Sequence, residues 1–164
     1  MKKVLIIGYG DIGSRIAARL PKQEFIGVSR SAPADLPNVE FIQQDWMNES
    51  KLILPSIDFS TIVLILKPTS SGIDGYQRGF LDASYHMMDF FNNKISYEKL
   101  LIVTSTRVFG LGNGREITEA VKPLPDDQQA RIILEYEEFV ARESKIEPLI
   151  LRPSGLYDEQ THWM

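Results

Sequence analysis

The chain contains no cysteine. Disulfide staples, thiolate zinc sites and a cysteine nucleophile are thereby excluded. Histidine is nearly as scarce. His86 and His162 stand far apart, without the spacing of metal ligands, so no metal site is expected. Long hydrophobic runs are also missing: "TIVLIL" (61–66) and "LLIV" (100–103) have the length of buried strands and not of membrane spans. The opening "MKKVLII" has the basic start of a secretion signal, but Gly8-Tyr9-Gly10-Asp11 breaks its apolar run too soon for one. A cytoplasmic protein with no membrane partner is the expectation. Basic charge is not in excess either. Eighteen Lys and Arg face 22 Asp and Glu, a formal net charge of −4, which gives no general attraction to nucleic acid, and none is expected as a partner.

What is present describes one globular domain spanning 1–164, with 43% hydrophobic and 24% charged residues. Apolar runs alternate with helical stretches. Strands are expected at 4–7, 24–29, 39–44, 61–66, 99–105 and 148–153. Ile12, Ile16 and Leu20 repeat at helical spacing up to Pro21, and a short helix is expected over 46–54. Longer helices are expected over Tyr76–Phe91, with Phe80, Met87, Met88 and Phe91 on one face, and over Asp126–Ser144. The strands are continuous apolar runs and not alternating ones, so helices should cover both faces of the sheet. The pattern predicts an α/β fold of Rossmann type, a doubly wound parallel sheet in the order 3-2-1-4-5-6.

Gly8, Gly10 and Gly13 form G-x-G-x-x-G directly after the first strand and at the start of a helix. In that setting Gly8 makes the tight turn, Gly10 lets the backbone approach a pyrophosphate, and Gly13 lets the helix pack closely on the strand. Tyr9, Asp11 and Ile12 complete this phosphate-facing turn, with Asp11 the expected helix N-cap. The second strand ends in Ser29-Arg30-Ser31, where an acid that would bind ribose hydroxyls is missing. A guanidinium between two hydroxyls suits a 2′-phosphate, so NADP is the expected cofactor, with NAD as the alternative.

Taken with Asp45 after the third strand, "VTSTRVFG" at the fifth and "LRPSGLYD" at the sixth, this order of motifs resembles the extended short-chain dehydrogenase/reductase superfamily. Within it, the chain is similar to an atypical NAD-dependent epimerase/dehydratase. The resemblance implies a dinucleotide cofactor and a small-molecule substrate, with hydride transfer on a sugar-like or small carbonyl compound. It also implies Ser105 as the catalytic serine, Asp45 against the adenine, and Leu66, Lys67 and Pro68 along the cofactor. On the residues alone, the Ser105 hydroxyl serves equally well to satisfy strand-end backbone. Two departures stand out. The family's proton donor is a Tyr with a Lys four residues on, whereas this chain has Asp127 and Arg131 at that spacing and no Tyr-x-x-x-Lys anywhere. The family also continues into a C-terminal region over the substrate, which is expected to be truncated or absent here. A non-catalytic NAD(P)-binding sensor or regulatory module is therefore the alternative reading, and a homo-oligomer is left open.

Overall fold

The computed structural model describes residues 2–31, 35–45, 52–55, 58–111, 114 and 116–156. The apolar runs form six strands: β1 (Lys3–Ile7), β2 (Phe25–Ser29), β3 (Val39–Gln43), β4 (Asp58–Ile65), β5 (Ser96–Val103) and β6 (Leu149–Leu151). They make one parallel sheet in the order β3-β2-β1-β4-β5-β6, as the alternation of strand and helix requires. The chain runs outward from β1 to β3, then returns to lay β4 on the other side of β1. Two strand ends therefore diverge at the C-terminal edge, which opens a crevice there.

Each face of the sheet carries its own core. One holds Ile6, Tyr9, Ala17, Phe25 and Val63 under α1 (Asp11–Arg19). The other is larger and packs Leu5, Ile7, Ile62, Leu64 and Ile102 against Met87, Met88, Phe91, Ile133 and Tyr136. These come from α3 (Ala83–Lys94) and α4 (Gln128–Glu143). The predicted face of Phe80, Met87, Met88 and Phe91 is buried as a unit.

Several boundaries differ from the sequence expectation for physical reasons. β4 and β5 begin at Asp58 and Ser96, ahead of their apolar runs, because those polar residues pair with each other in the ladder. The helix expected from Tyr76 starts earlier, as α2 (Ile73–Tyr76), passes through a π-helical segment (Gln77–Asp82) and continues as α3 to Lys94. β6 is an edge strand with one neighbour and covers only three of the expected residues. In α1 the inward stripe is Gly13 and Ala17, while Leu20 is 51% exposed beyond the helix end. Small residues let α1 approach the sheet, and Asn38 closes its C-terminal end by donating to the carbonyls of Ala17 and Leu20. The helix expected over 46–54 falls mostly outside the described residues, and 52–55 have no regular structure.

Candidate functional site

At the crevice the structure holds a cleft of about 890 Å³, bordered by the C-terminal ends of β1, β2, β4 and β5 and by the chain after β6. Gly8, Tyr9, Gly10, Asp11 and Ile12 form its floor at the head of α1. The three motif glycines serve three different needs. Gly8 has φ of 83°, and a Cβ there would collide with the Ile65 carbonyl, so it is the turn residue. Gly13 does not border the cleft: a Cβ on it would lie 2.9 Å from the Tyr9 ring and 3.2 Å from Ile6. Gly10 has no such neighbour. Its φ of −118° is open to any residue, and the nearest described atom to a Cβ there is 3.8 Å away. A side chain at Gly10 would extend into open space of the cleft at the mouth of the helix.

Asp11 is not the N-cap. Gly10 occupies that place, and its carbonyl accepts the first helical bond from the Ser14 N–H at 2.9 Å. Asp11 lies inside the first turn, where Arg15 donates to its carboxylate at 2.9 Å. This i,i+4 pair offsets the acid's charge at the positive end of the helix, and the N–H groups of Ile12 and Gly13 precede the first helical bond. Tyr9 borders the cleft with its ring turned into the core between Gly13 and Gly27, 6.2 Å from Phe41, and burial raises its phenol above the ordinary value.

Along β2, Ser29, Arg30 and Ser31 all border the cleft. Ser29 Oγ donates to the Ser31 carbonyl at 2.7 Å, and Gln43 Nε2 donates to the Arg30 carbonyl at 2.9 Å. These bonds fix the turn that presents Arg30, whose exposed guanidinium makes no ion pair with any described residue. Asp45 stands half-buried beside it. After β4 come Leu66, buried, then Lys67 and Pro68. Their loop is pressed against the π-helical segment at Gly79, where any side chain would strike the Lys67 carbonyl. π-Helical turns of this kind recur at functional sites. The sequence gives no periodic signal for the π turn, and Gly79 went unnoticed for that reason. Among the described residues bordering the cleft, besides the Tyr9 phenol, Arg15, Arg19, Arg30 and Lys67 are cationic and Asp11 and Asp45 are acidic. The described border of this crevice therefore carries more cations than acids in a chain of net charge −4.

Ser105 lies at the end of β5 and borders the cleft. Its Oγ accepts the Arg107 N–H at 3.2 Å and caps a 3-10 turn, Thr106–Phe109. It satisfies strand-end backbone while facing the cleft, and no described residue accepts its hydroxyl hydrogen. The position of the expected phenol is filled differently. Asp127 is the N-cap of α4 and accepts the Ala130 N–H at 2.8 Å. Arg107 donates to it from Nε at 3.0 Å and to the Tyr76 hydroxyl from Nη1 at 3.2 Å. The Ala130 N–H, and after it Arg107, hold the Asp127 carboxyl below its ordinary value, so it is an anion with no proton to give. Tyr136 is fully buried in the core, away from the cleft, and burial drives its phenol far above the ordinary range.

Among the described residues no group of His, Asp and Glu is arranged to hold a metal, and no helix is long and apolar enough to cross a membrane.

A glycine-turned strand–helix junction at the switch point of a parallel 3-2-1-4-5-6 sheet defines a Rossmann-type α/β fold. No protein-family model and no curated protein matches the sequence. Solved structures do share the fold. UDP-glucuronic acid 4-epimerase from Bacillus cereus, in complex with NAD, superimposes with a TM-score of 0.75 at 19% identity, over 94% of this chain and 57% of that one. UDP-N-acetylglucosamine 4-epimerase from Methanobrevibacter ruminantium M1 gives 0.69 at 20% identity, over 92% and 54%. A UDP-galactose 4-epimerase gives 0.73 at 16% identity, over 92% and 55%. The chain spans little more than half the length of these proteins, and the resemblance noted in the sequence holds at the level of the fold.

Proposed function

We propose that the cleft binds a nicotinamide dinucleotide, NADP in preference to NAD, and that the chain belongs to an epimerase-like oxidoreductase acting on a sugar-like or small carbonyl compound. The observation that carries this reading is the open space at Gly10, a glycine that the fold itself does not require. Pyrophosphate oxygens fit there, against backbone N–H groups and the positive end of α1. Arg30 then reaches the 2′-phosphate of the adenosine ribose, and Asp45 lies on the adenine side. The cationic border of the cleft favours a polyanion. The solved structures with this fold include one holding NAD, which supports the dinucleotide and leaves the choice between the two cofactors to Arg30.

A bound nicotinamide supplies hydride chemistry. The chain's own part is to bind, orient and exclude water. Ser105 donates a hydrogen bond to a substrate carbonyl, while Asp127 is held as an anion by α4 and Arg107 and takes no part in proton transfer. Replacing Gly10 with Val tests the reading. Binding of NADP⁺ and NAD⁺ is expected to be lost by calorimetry, with circular dichroism and thermal midpoint near those of the unaltered chain. Normal binding by Gly10→Val would refute the cradle.

A further inference from the structure

On the β6 side, opposite Arg30 in strand order, the cleft is closed by two strand ends: Thr104–Ser105 after β5 and Pro153–Ser154 after β6. Both are tied to a single buried carboxylate. Glu137 lies on the inward side of α4 and is 1% exposed. Arg152 Nε donates to its two oxygens at 3.1 and 3.2 Å, and Nη2 donates to Oε2 at 2.7 Å. Thr104 Oγ1 donates to Oε1 at 2.6 Å. The Arg152 guanidinium also lies 5.1 Å above the centre of the Phe109 ring. Backbone bonds continue the tie, from Thr104 N–H to the Leu151 carbonyl at 2.8 Å and from Thr106 N–H to the Pro153 carbonyl at 3.1 Å.

A buried charge is expensive unless it is paired, and an apolar residue would serve packing better, as Ile133 and Val140 do on the same helix. Packing therefore gives no reason for Glu137. Geometry does, because this side chain joins α4 to the ends of both β5 and β6, through Thr104 and Arg152, beside the backbone bonds between those two strand ends. We propose that the Glu137–Arg152–Thr104 network positions the nicotinamide half of the cofactor cleft. Arg30 assigns the adenosine to the β2 side and Gly10 assigns the pyrophosphate to the middle, so the nicotinamide and its ribose fall between Ser105 and the Pro153–Ser154 turn. Glu137 is a positioning residue: it holds the two walls of that half at their spacing and touches no ligand itself. The adenosine half is built from α1 and β2 and does not depend on it.

This inference rests on the dinucleotide reading, and one titration series separates the two. The probes are NADP⁺ and 2′-phospho-ADP-ribose, which is the same molecule without nicotinamide, with NAD⁺ and ADP-ribose in parallel, each titrated calorimetrically into the full chain. Glu137→Gln and Thr104→Val are each expected to weaken NADP⁺ about tenfold and to leave 2′-phospho-ADP-ribose within about twofold. Thr104→Ser, which keeps the hydroxyl, restores the binding of NADP⁺. The double variant is expected to lose no more than the stronger single one, since both act through the same network. If Glu137→Gln does not fold, Thr104→Val and Thr104→Ser carry the test. Equal weakening of both probes, no weakening of either, or additive losses would overturn the positioning role. Failure of the unaltered chain to bind any of the four nucleotides would instead remove the dinucleotide reading, and this inference with it.

Discussion

The ring of Tyr9 accounts for two glycines that have no ligand to serve. A Cβ at Gly27 would lie 2.6 Å from it and one at Gly13 2.9 Å, so β2 and α1 close on opposite sides of one aromatic plate. Gly10 is the reverse case, a glycine with open space at its Cβ position on the border of the cleft. The G-x-G-x-x-G spacing identifies the motif glycines from sequence, but the division of labour among them depends on where a buried ring points, which spacing does not encode. Asp11 shows the same limit. Its residue type favours an N-cap, yet the preceding glycine already takes that place, and the carboxylate pairs with Arg15 one turn on. Arg30 is exposed just beyond the end of β2, where Ser29 donates to the Ser31 carbonyl and Gln43 of β3 donates to the Arg30 carbonyl. Arg30→Ala is expected to weaken NADPH more than NADH by roughly 1.5–3 kcal/mol, the worth of a hydrogen bond to a charged group. Calorimetry with the two reduced cofactors checks this, and equal losses would remove Arg30 from cofactor selection.

At the scale of elements, the N-terminus of α4 departs furthest from its expected role. Asp127 stands where a phenol would donate a proton, and instead caps the helix and pairs with Arg107. Its carboxyl is held below the ordinary 3.8, so the stabilisation it gives is fully present above that value and is lost as pH falls through the lower native value. Both partners' side chains are 41% exposed, so solvent screens the pair and the cap is the larger part. Asp127→Ala is expected to cost about 1 kcal/mol at neutral pH, and Asp127→Asn, which can still cap, less than that. The Asp127→Ala difference should shrink in urea unfolding as the pH is taken from neutral to well below 3.8, where the native carboxyl protonates. A difference constant down to that pH would show that the charge of Asp127 contributes nothing. The strands were legible because both their faces are buried and their apolar runs are continuous. Their starts were not, since Asp58 and Ser96 are exposed and are held only by the ladder. Nor was the π-helical turn, whose cause is the contact of Gly79 with a loop distant in sequence. Nothing in the sequence sets Glu137 apart from the other acids of α4, because the guanidinium that pairs with it comes from the chain just after β6.

Over the whole molecule, strand order follows from the alternation of elements and from the handedness of their connections, so it is legible in the sequence. The charge distribution is not. A net charge of −4 gives no sign that, among the described residues, four cationic side chains border one crevice against two acidic ones. That local excess comes from helix and strand ends that meet only in the folded chain. It makes the cleft an attractive site for a polyanion on an otherwise acidic molecule. The most direct measurement is an equilibrium titration of the unaltered chain with NADPH and NADH, followed by nicotinamide fluorescence at low ionic strength. The account predicts saturable binding of one dinucleotide per chain, with NADPH the tighter of the two and more sensitive to added salt. Binding of neither nucleotide would contradict the dinucleotide site, and NADH binding at least as tightly as NADPH would contradict its assignment to NADP.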